Sequence, residues 1–250
     1  MGQDQTCQEI GRLQSSNGHV ATLGYAGRGD LKALLDRGHV DALLTSTEGG
    51  LSPFPKDLIS TELKVPKREL YGWAEQVSTG STVTLIALAS RRSGAGLKGT
   101  ILMPFGTSEC YEALVAPEHR GLPYYDFYYN ITFEAILWAA RRWGSHRIAT
   151  THLSGCGQPF HPDIPLTQCE AVLHASRQPE PIPLEHFCFL GCGCIRDEVF
   201  AGFEGKLSTL SGEHRPINIL ISEQEHGVYV LTLDWHNRNG SSRTRTDEGN

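Results

Sequence analysis

The sequence predicts an α/β domain with a mostly parallel central sheet and a C-terminal β-hairpin extension. Three observations lead there. A strand–helix–strand unit opens the chain, with apolar runs at Val20 to Leu23 and Val40 to Leu44 around a short helix at Leu31 to Leu35. A strong helix, Ile131 to Trp143, runs almost directly into a strand at Arg147 to Leu153 and then into another helix at about Pro165 to Ser176. Two late strands, Ile217 to Ile221 and Val228 to Leu233, are close enough to form a hairpin. Parallel neighbours need long crossovers, and helices alternating with strands supply them.

Bulk properties narrow the class. The chain has 250 residues, enough for one large domain. Hydrophobic content of 39% and charged content of 20% are those of an ordinary globular protein. A net charge of −6 argues against bulk nucleic-acid binding, which selects a basic face. No apolar run is long enough to span a bilayer, and Met1 to Ser16 lacks a signal peptide's apolar core. The expected compartment is cytoplasmic, with no membrane partner. Seven cysteines in such a chain read as buried thiols, metal ligands or reactive groups rather than disulfides. The expected organisation is a flexible lead-in over 1–18, one domain over 19–236 whose extension spans 195–236, and a disordered tail over 237–250.

In order, Gly24 to Gly29 is a Gly-rich turn, and Asp30 is placed to cap the helix at Leu31 by accepting its first-turn N–H groups. Residues 51–70 are rich in Pro and Lys, and Pro53, Pro55 and Pro66 interrupt any long helix. Glu69 to Val77 allows two helical turns. Thr82 to Leu88 and Gly99 to Phe105 are strands. Thr107 to Tyr128 reads as an aromatic-rich loop, and Asn130 as the cap of the long helix. Phe133, Ile136, Leu137, Ala140 and Trp143 share one face of that helix and mark core. His186 to Leu190 is a buried strand, and residues 195–210 allow a helix with several glycines.

Between the strand at 147–153 and the next helix lies Leu153-Ser154-Gly155-Cys156-Gly157-Gln158. A strand, a small-residue loop and a helix N-terminus can bind an anion, because glycines expose backbone N–H groups and the helix end adds partial positive charge. Alone, this pattern also fits a tight turn.

The order of several segments resembles the macrodomain family, the ADP-ribose-binding three-layer α/β/α fold. Gly29-Asp30-Leu31 resembles that family's Gly-Asp-Ile/Leu turn. Val40-Asp41-Ala42-Leu43-Leu44-Thr45-Ser46-Thr47-Glu48 resembles its Val-Asp-Ala-Ile-Val-Asn-Ala-Ala-Asn strand. Thr79 to Val83 with Leu97 to Leu102, then the helix from Asn130, the strand from Arg147 and the Gly155-Cys156-Gly157 loop, complete the series over roughly residues 20–192.

The resemblance implies ADP-ribose or an ADP-ribosylated substrate as ligand and hydrolysis of an ADP-ribosyl bond as the activity. Asp30, beside Leu31, would take the adenine amino group. Gly155, Cys156 and Gly157 would present backbone donors to the diphosphate, with Ser154 and Gln158 as neighbours and Phe160 near the distal ribose. Thr45, Thr47, Gly49 and Gly50 would line the opposite wall. The family's asparagines fall at Thr45 and Glu48, so Glu48 stands as the candidate general base. The glycine-rich loop is reduced to Gly49-Gly50, and the Pro/Lys-rich 51–70 segment replaces the helix expected after it.

Two readings of other classes stand beside this one. Cys156, flanked by His152 and His161, fits a thiol hydrolase or transferase, although a small residue between two glycines explains it more simply. The shortened glycine loop also fits a non-catalytic interaction module with a vestigial pocket. No cofactor is expected. Cys188, Cys192 and Cys194, with His186, have the composition of a zinc site, but buried thiols on a core strand account for them.

Overall fold

The computed structural model describes residues 7–14, 20–47, 53–79, 83–92, 94, 96–104, 124–151, 163–178, 180, 182, 184–191 and 218–234. The elements are β1 (Gln8–Gln14), β2 (Val20–Gly27), α1 (Leu31–Asp36), β3 (Ala42–Thr47), α2 (Pro53–Leu63) and α3 (Lys67–Ala74). They continue with β4 (Ser78–Thr79), β5 (Val83–Ala89), β6 (Gly99–Pro104), α4 (Tyr124–Trp143), β7 (Arg147–Thr151) and α5 (Asp163–Ser176). Three strands finish the series: β8 (His186–Gly191), β9 (Asn218–Glu223) and β10 (Val228–Asp234).

The strands form a single sheet in the order β1-β2-β8-β7-β3-β6-β5-β10-β9, with β4 beside β5. The centre, β2-β8-β7-β3-β6, is parallel throughout. Both flanks are antiparallel: β1 on β2 at one side, and β5, β10 and β9 beyond β6 at the other. The expected mostly parallel sheet is therefore a parallel core with antiparallel margins. The late hairpin extends the sheet by pairing β10 with β5.

Helices cover both faces, giving three layers. Alternate strand residues point to opposite faces. Leu43, Cys188 and Leu190 therefore pack with Leu31, Leu34, Ile59, Leu63 and Leu70 of α1–α3. Leu44, Phe187 and Phe189 pack with Phe133, Ile136 and Val172 of α4 and α5. Each layer pair buries a continuous apolar sheet face, which is the main force holding the domain together. Among the described residues, no helix is long and apolar enough to cross a membrane.

Four expectations are corrected. Residues 8–14 of the lead-in are not frayed; they form β1, whose backbone pairs with β2 from Gln8↔Tyr25 to Gln14↔Val20. The proline-rich stretch does contain helices. Pro53 and Pro55 lie in the first turn of α2 and Pro66 precedes α3, positions whose N–H groups have no helical acceptor to lose. The aromatic segment before Asn130 is helical from Tyr124, and Asn130 lies inside α4 rather than capping it. Tyr128 is fully buried, so burial of aromatic surface extends the helix N-terminally. Asp30 does not cap α1 with its side chain; its Oδ2 turns back to accept the Gly27 N–H at 3.1 Å. The helix expected within 195–210 and the tail over 237–250 lie outside the described residues.

Candidate functional site

In an open parallel sheet, the natural crevice lies at the C-terminal ends of the strands, where successive connections leave in opposite directions. Here that point falls between β3 and β7. From β3 the chain crosses through α2 and α3 on one face and goes on towards β5 and β6. From β7 it crosses through α5 on the other face to β8.

The hydrogen-bond ladder opens at the same place. β3 pairs with β7 at Ala42↔Ile148, Leu43↔Ala149 and Leu44↔Thr150, and the pairing stops there. Beyond it, β3 stays with β6 from Thr45↔Leu102 to Thr47↔Pro104, while β7 stays with β8 at Thr151↔Leu190. The two strands part with short polar side chains on their inner ends. Thr151 Oγ1 accepts the Ser46 N–H at 2.9 Å and lies 3.3 Å from Ser46 Oγ. A side chain thus replaces the missing ladder bond. Thr47 Oγ1 donates to the Met103 carbonyl at 3.3 Å. Thr45 is 1% exposed, and its hydroxyl has no hydrogen-bond partner among the described residues. A buried hydroxyl in that state is costly unless something satisfies it.

Of the residues singled out from sequence, Thr45 and Thr47 lie at this crevice. Leu31 is fully buried in the α1–α3 layer, so only its backbone is available to a ligand. Asp30 sits in the turn after β2; one oxygen holds Gly27, and the other makes no hydrogen bond to a described residue. Glu48, Gly49, Gly50, Ser154, Gly155, Cys156, Gly157, Gln158 and Phe160 lie outside the described residues, as do His152 and His161. Sequence reading missed Ser46 and Thr151. The Thr150-Thr151 pair at a strand end was the available clue, but only strand pairing shows which hydroxyl replaces a ladder bond.

Among the described residues, His186 and Cys188 share a face of β8 and meet Cys7, just before β1. Cys192 and Cys194 lie outside the described residues. Of the two thiols, Cys7 ionises first. Its pKa is lowered to about 5 by the Cys188 S–H donated to it and by the His186 ring, against the opposing effect of burial. Cys188 is pushed well above the usual thiol range, because it holds the shared proton and is buried.

No family model matches the chain, and no curated protein matches it by sequence. Among solved structures, a point mutant of the Oceanobacillus iheyensis macrodomain is similar at 8% identity and a TM-score of 0.51, covering 80% of this chain and 96% of that one. The fold is macrodomain-like. The same bacterial macrodomain with ADP aligns at 10% identity and a TM-score of 0.48, covering 80% of this chain and 95% of that one. The macro domain of ganglioside induced differentiation associated protein 2 aligns at 10% identity and 0.45, covering 68% and 76%. The assignment rests on the first of these together with the three-layer topology.

Proposed function

We propose that this chain binds ADP-ribose, or a related nucleoside diphosphate, in the crevice between β3 and β7. The observation that carries this reading is the parting of the two strands beyond Leu44 and Thr150, at the sheet's topological switch point. The Thr45 hydroxyl supports it, as a buried group still without a described partner. Asp30 accepts from the adenine amino group through its second oxygen, and the 154–158 loop offers backbone N–H groups to the diphosphate. Glu48 then acts as the general base. It takes a proton from a water that attacks the anomeric carbon, and the bond from that carbon to the acceptor group breaks. The compartment is the cytosol, where unpaired thiols such as Cys169 and Cys188 persist.

Calorimetry tests binding. ADP-ribose gives saturable heat with the intact chain, and Asp30→Ala weakens it by about tenfold, the equivalent of one lost hydrogen bond to a charged group. No heat at millimolar ligand removes the proposal. Hydrolysis is read as release of ADP-ribose from a modified acceptor, which Glu48→Gln abolishes. Release at the full rate in that variant moves the base elsewhere.

A further inference from the structure

At the opposite, N-terminal end of the parallel strands, three potential metal ligands converge. Cys7 Sγ lies 3.5 Å from His186 Nε2 and 3.6 Å from Cys188 Sγ, and all three ligand atoms lie within 4.8 Å of one another. Zinc bonds of about 2.3 Å to sulfur and 2.0–2.1 Å to nitrogen, at tetrahedral angles, set two sulfurs about 3.8 Å apart and sulfur and nitrogen about 3.6 Å apart. Two edges of the triad already have those lengths. The side chains are also supplied in the right way: His186 and Cys188 are two apart on β8 and so share a face.

Gly24 makes the convergence possible. It pairs with Cys188 across the β2–β8 ladder, beneath the cluster. A Cβ at this position would lie 2.5 Å from Cys7 Sγ and 2.7 Å from His186 Cε1. Glycine weakens a strand interior, so its place here is explained by what it leaves room for. Cys7 and His186 also line a cavity of about 430 Å³ with Glu9, Thr22 and His39, while Cys188 is buried beneath. The free side of the triad is therefore the cavity side.

We propose that Cys7, His186 and Cys188 form a zinc site that ties the start of β1 to β8 across β2, with its fourth coordination position open to the cavity. The site is distinct from the nucleotide crevice: Cys188 is three residues, about 10 Å, short of the C-terminal end of β8 at Gly191, and His186 is two residues further back. Zinc bridges residues 181 positions apart in sequence, so it anchors the N-terminal segment to the core. Three protein ligands with an open fourth place are the arrangement that leaves zinc accessible to water or to a small exogenous donor.

The test uses the full chain, stripped of metal with chelator under reductant and titrated with Zn²⁺ against a chromophoric chelator. One equivalent binds. Co²⁺ in its place gives sulfur-to-cobalt charge-transfer absorption and the visible bands of a tetrahedral ion. Cys7→Ser weakens zinc binding by about a hundredfold, as loss of one of three protein ligands requires. Gly24→Ala, which removes no ligand, weakens it as well, and circular dichroism verifies that both variants are folded. Amides of residues 8–14 exchange faster without zinc than with it. Failure to bind at micromolar free zinc overturns the proposal, as does equal binding by folded Cys7→Ser. A Cys7–Cys188 disulfide forming in protein that takes up no metal when reduced assigns the pair to thiol redox chemistry and also overturns it.

Discussion

The two ends of the parallel strands are built on opposite plans. At the N-terminal ends, the Asp41 carboxylate accepts the backbone N–H groups of His146 at 3.3 Å and Arg147 at 3.2 Å, with Lys98 Nζ 3.0 Å away. The Asp41 backbone adds bonds of 2.7 Å to Arg147 and Lys98, and Arg147 pairs with Glu185 at 2.9 Å. Loops there are short, and Asp41 ties them together, although the buried Ser145 hydroxyl before β7 has no hydrogen-bond partner among the described residues. At the C-terminal ends, β3 and β7 come apart and a threonine hydroxyl substitutes for the ladder. The difference teaches where this fold keeps stability and where it gives some up. At the crevice a side-chain hydroxyl carries what a ladder bond would, while the opposite edge holds the strands in register through Asp41.

Removing a polar group at each end separates the two plans. The largest loss of stability is expected from Asp41→Ala, which leaves two strand-end N–H groups without their acceptor and Lys98, still bonded to the Gly144 carbonyl, without its carboxylate partner. The cost is about 2–3 kcal/mol by denaturant titration, with ADP-ribose affinity unchanged. A loss of affinity without a loss of stability would erase the distinction. Thr151→Val comes next: the Ser46 N–H loses its acceptor, stability falls by about 1–2 kcal/mol and ligand binding weakens with it. Thr45→Val sharpens the contrast most. Taking away a buried hydroxyl with no described partner leaves stability unchanged or raised within about 1 kcal/mol, while affinity for ADP-ribose drops. Unchanged affinity in that variant would remove Thr45 from the ligand wall.

The smallest effect concerns the face behind the crevice. His174 on α5 meets the Tyr129 hydroxyl of α4 through Nδ1. Burial, with help from Arg177, holds the His174 pKa below its ordinary 6.5. Tyr129 is pushed upward by burial and by Glu170 and Glu134, so a phenol that keeps its proton is paired with a neutral ring. A folded pKa below the unfolded one means that the unfolded chain binds the proton more readily. This contribution is therefore full above about 6.5 and is lost as pH falls through the lower folded value. The slope of stability against pH in that window is expected to flatten in His174→Leu.

Much of the fold was legible because it follows from local periodicity. The stripe Phe133, Ile136 and Leu137 is core as its spacing requires, and β8 is buried on both faces from Phe187 to Gly191. The misses came where a local rule met a tertiary contact. Prolines read as helix breakers at 53, 55 and 66, although a first turn or a position just before a helix accepts them. Residues 8–14 read as a polar tail, because a pattern of single apolar residues says little until a partner strand exists. Their partner is β2, and Leu13 is buried against it.

The sequence by itself determined the alternation of strands and helices, the buried stripes and the order of segments that resembles a macrodomain, since each depends on neighbours along the chain. Only the tertiary structure decided where two strands separate and which hydroxyl bridges them, because pairing is made between residues about a hundred positions apart. It also brought Cys7 to Cys188 over a strand whose glycine leaves the space. Contacts of that kind have no periodicity in the chain; they follow from the register in which the sheet closes.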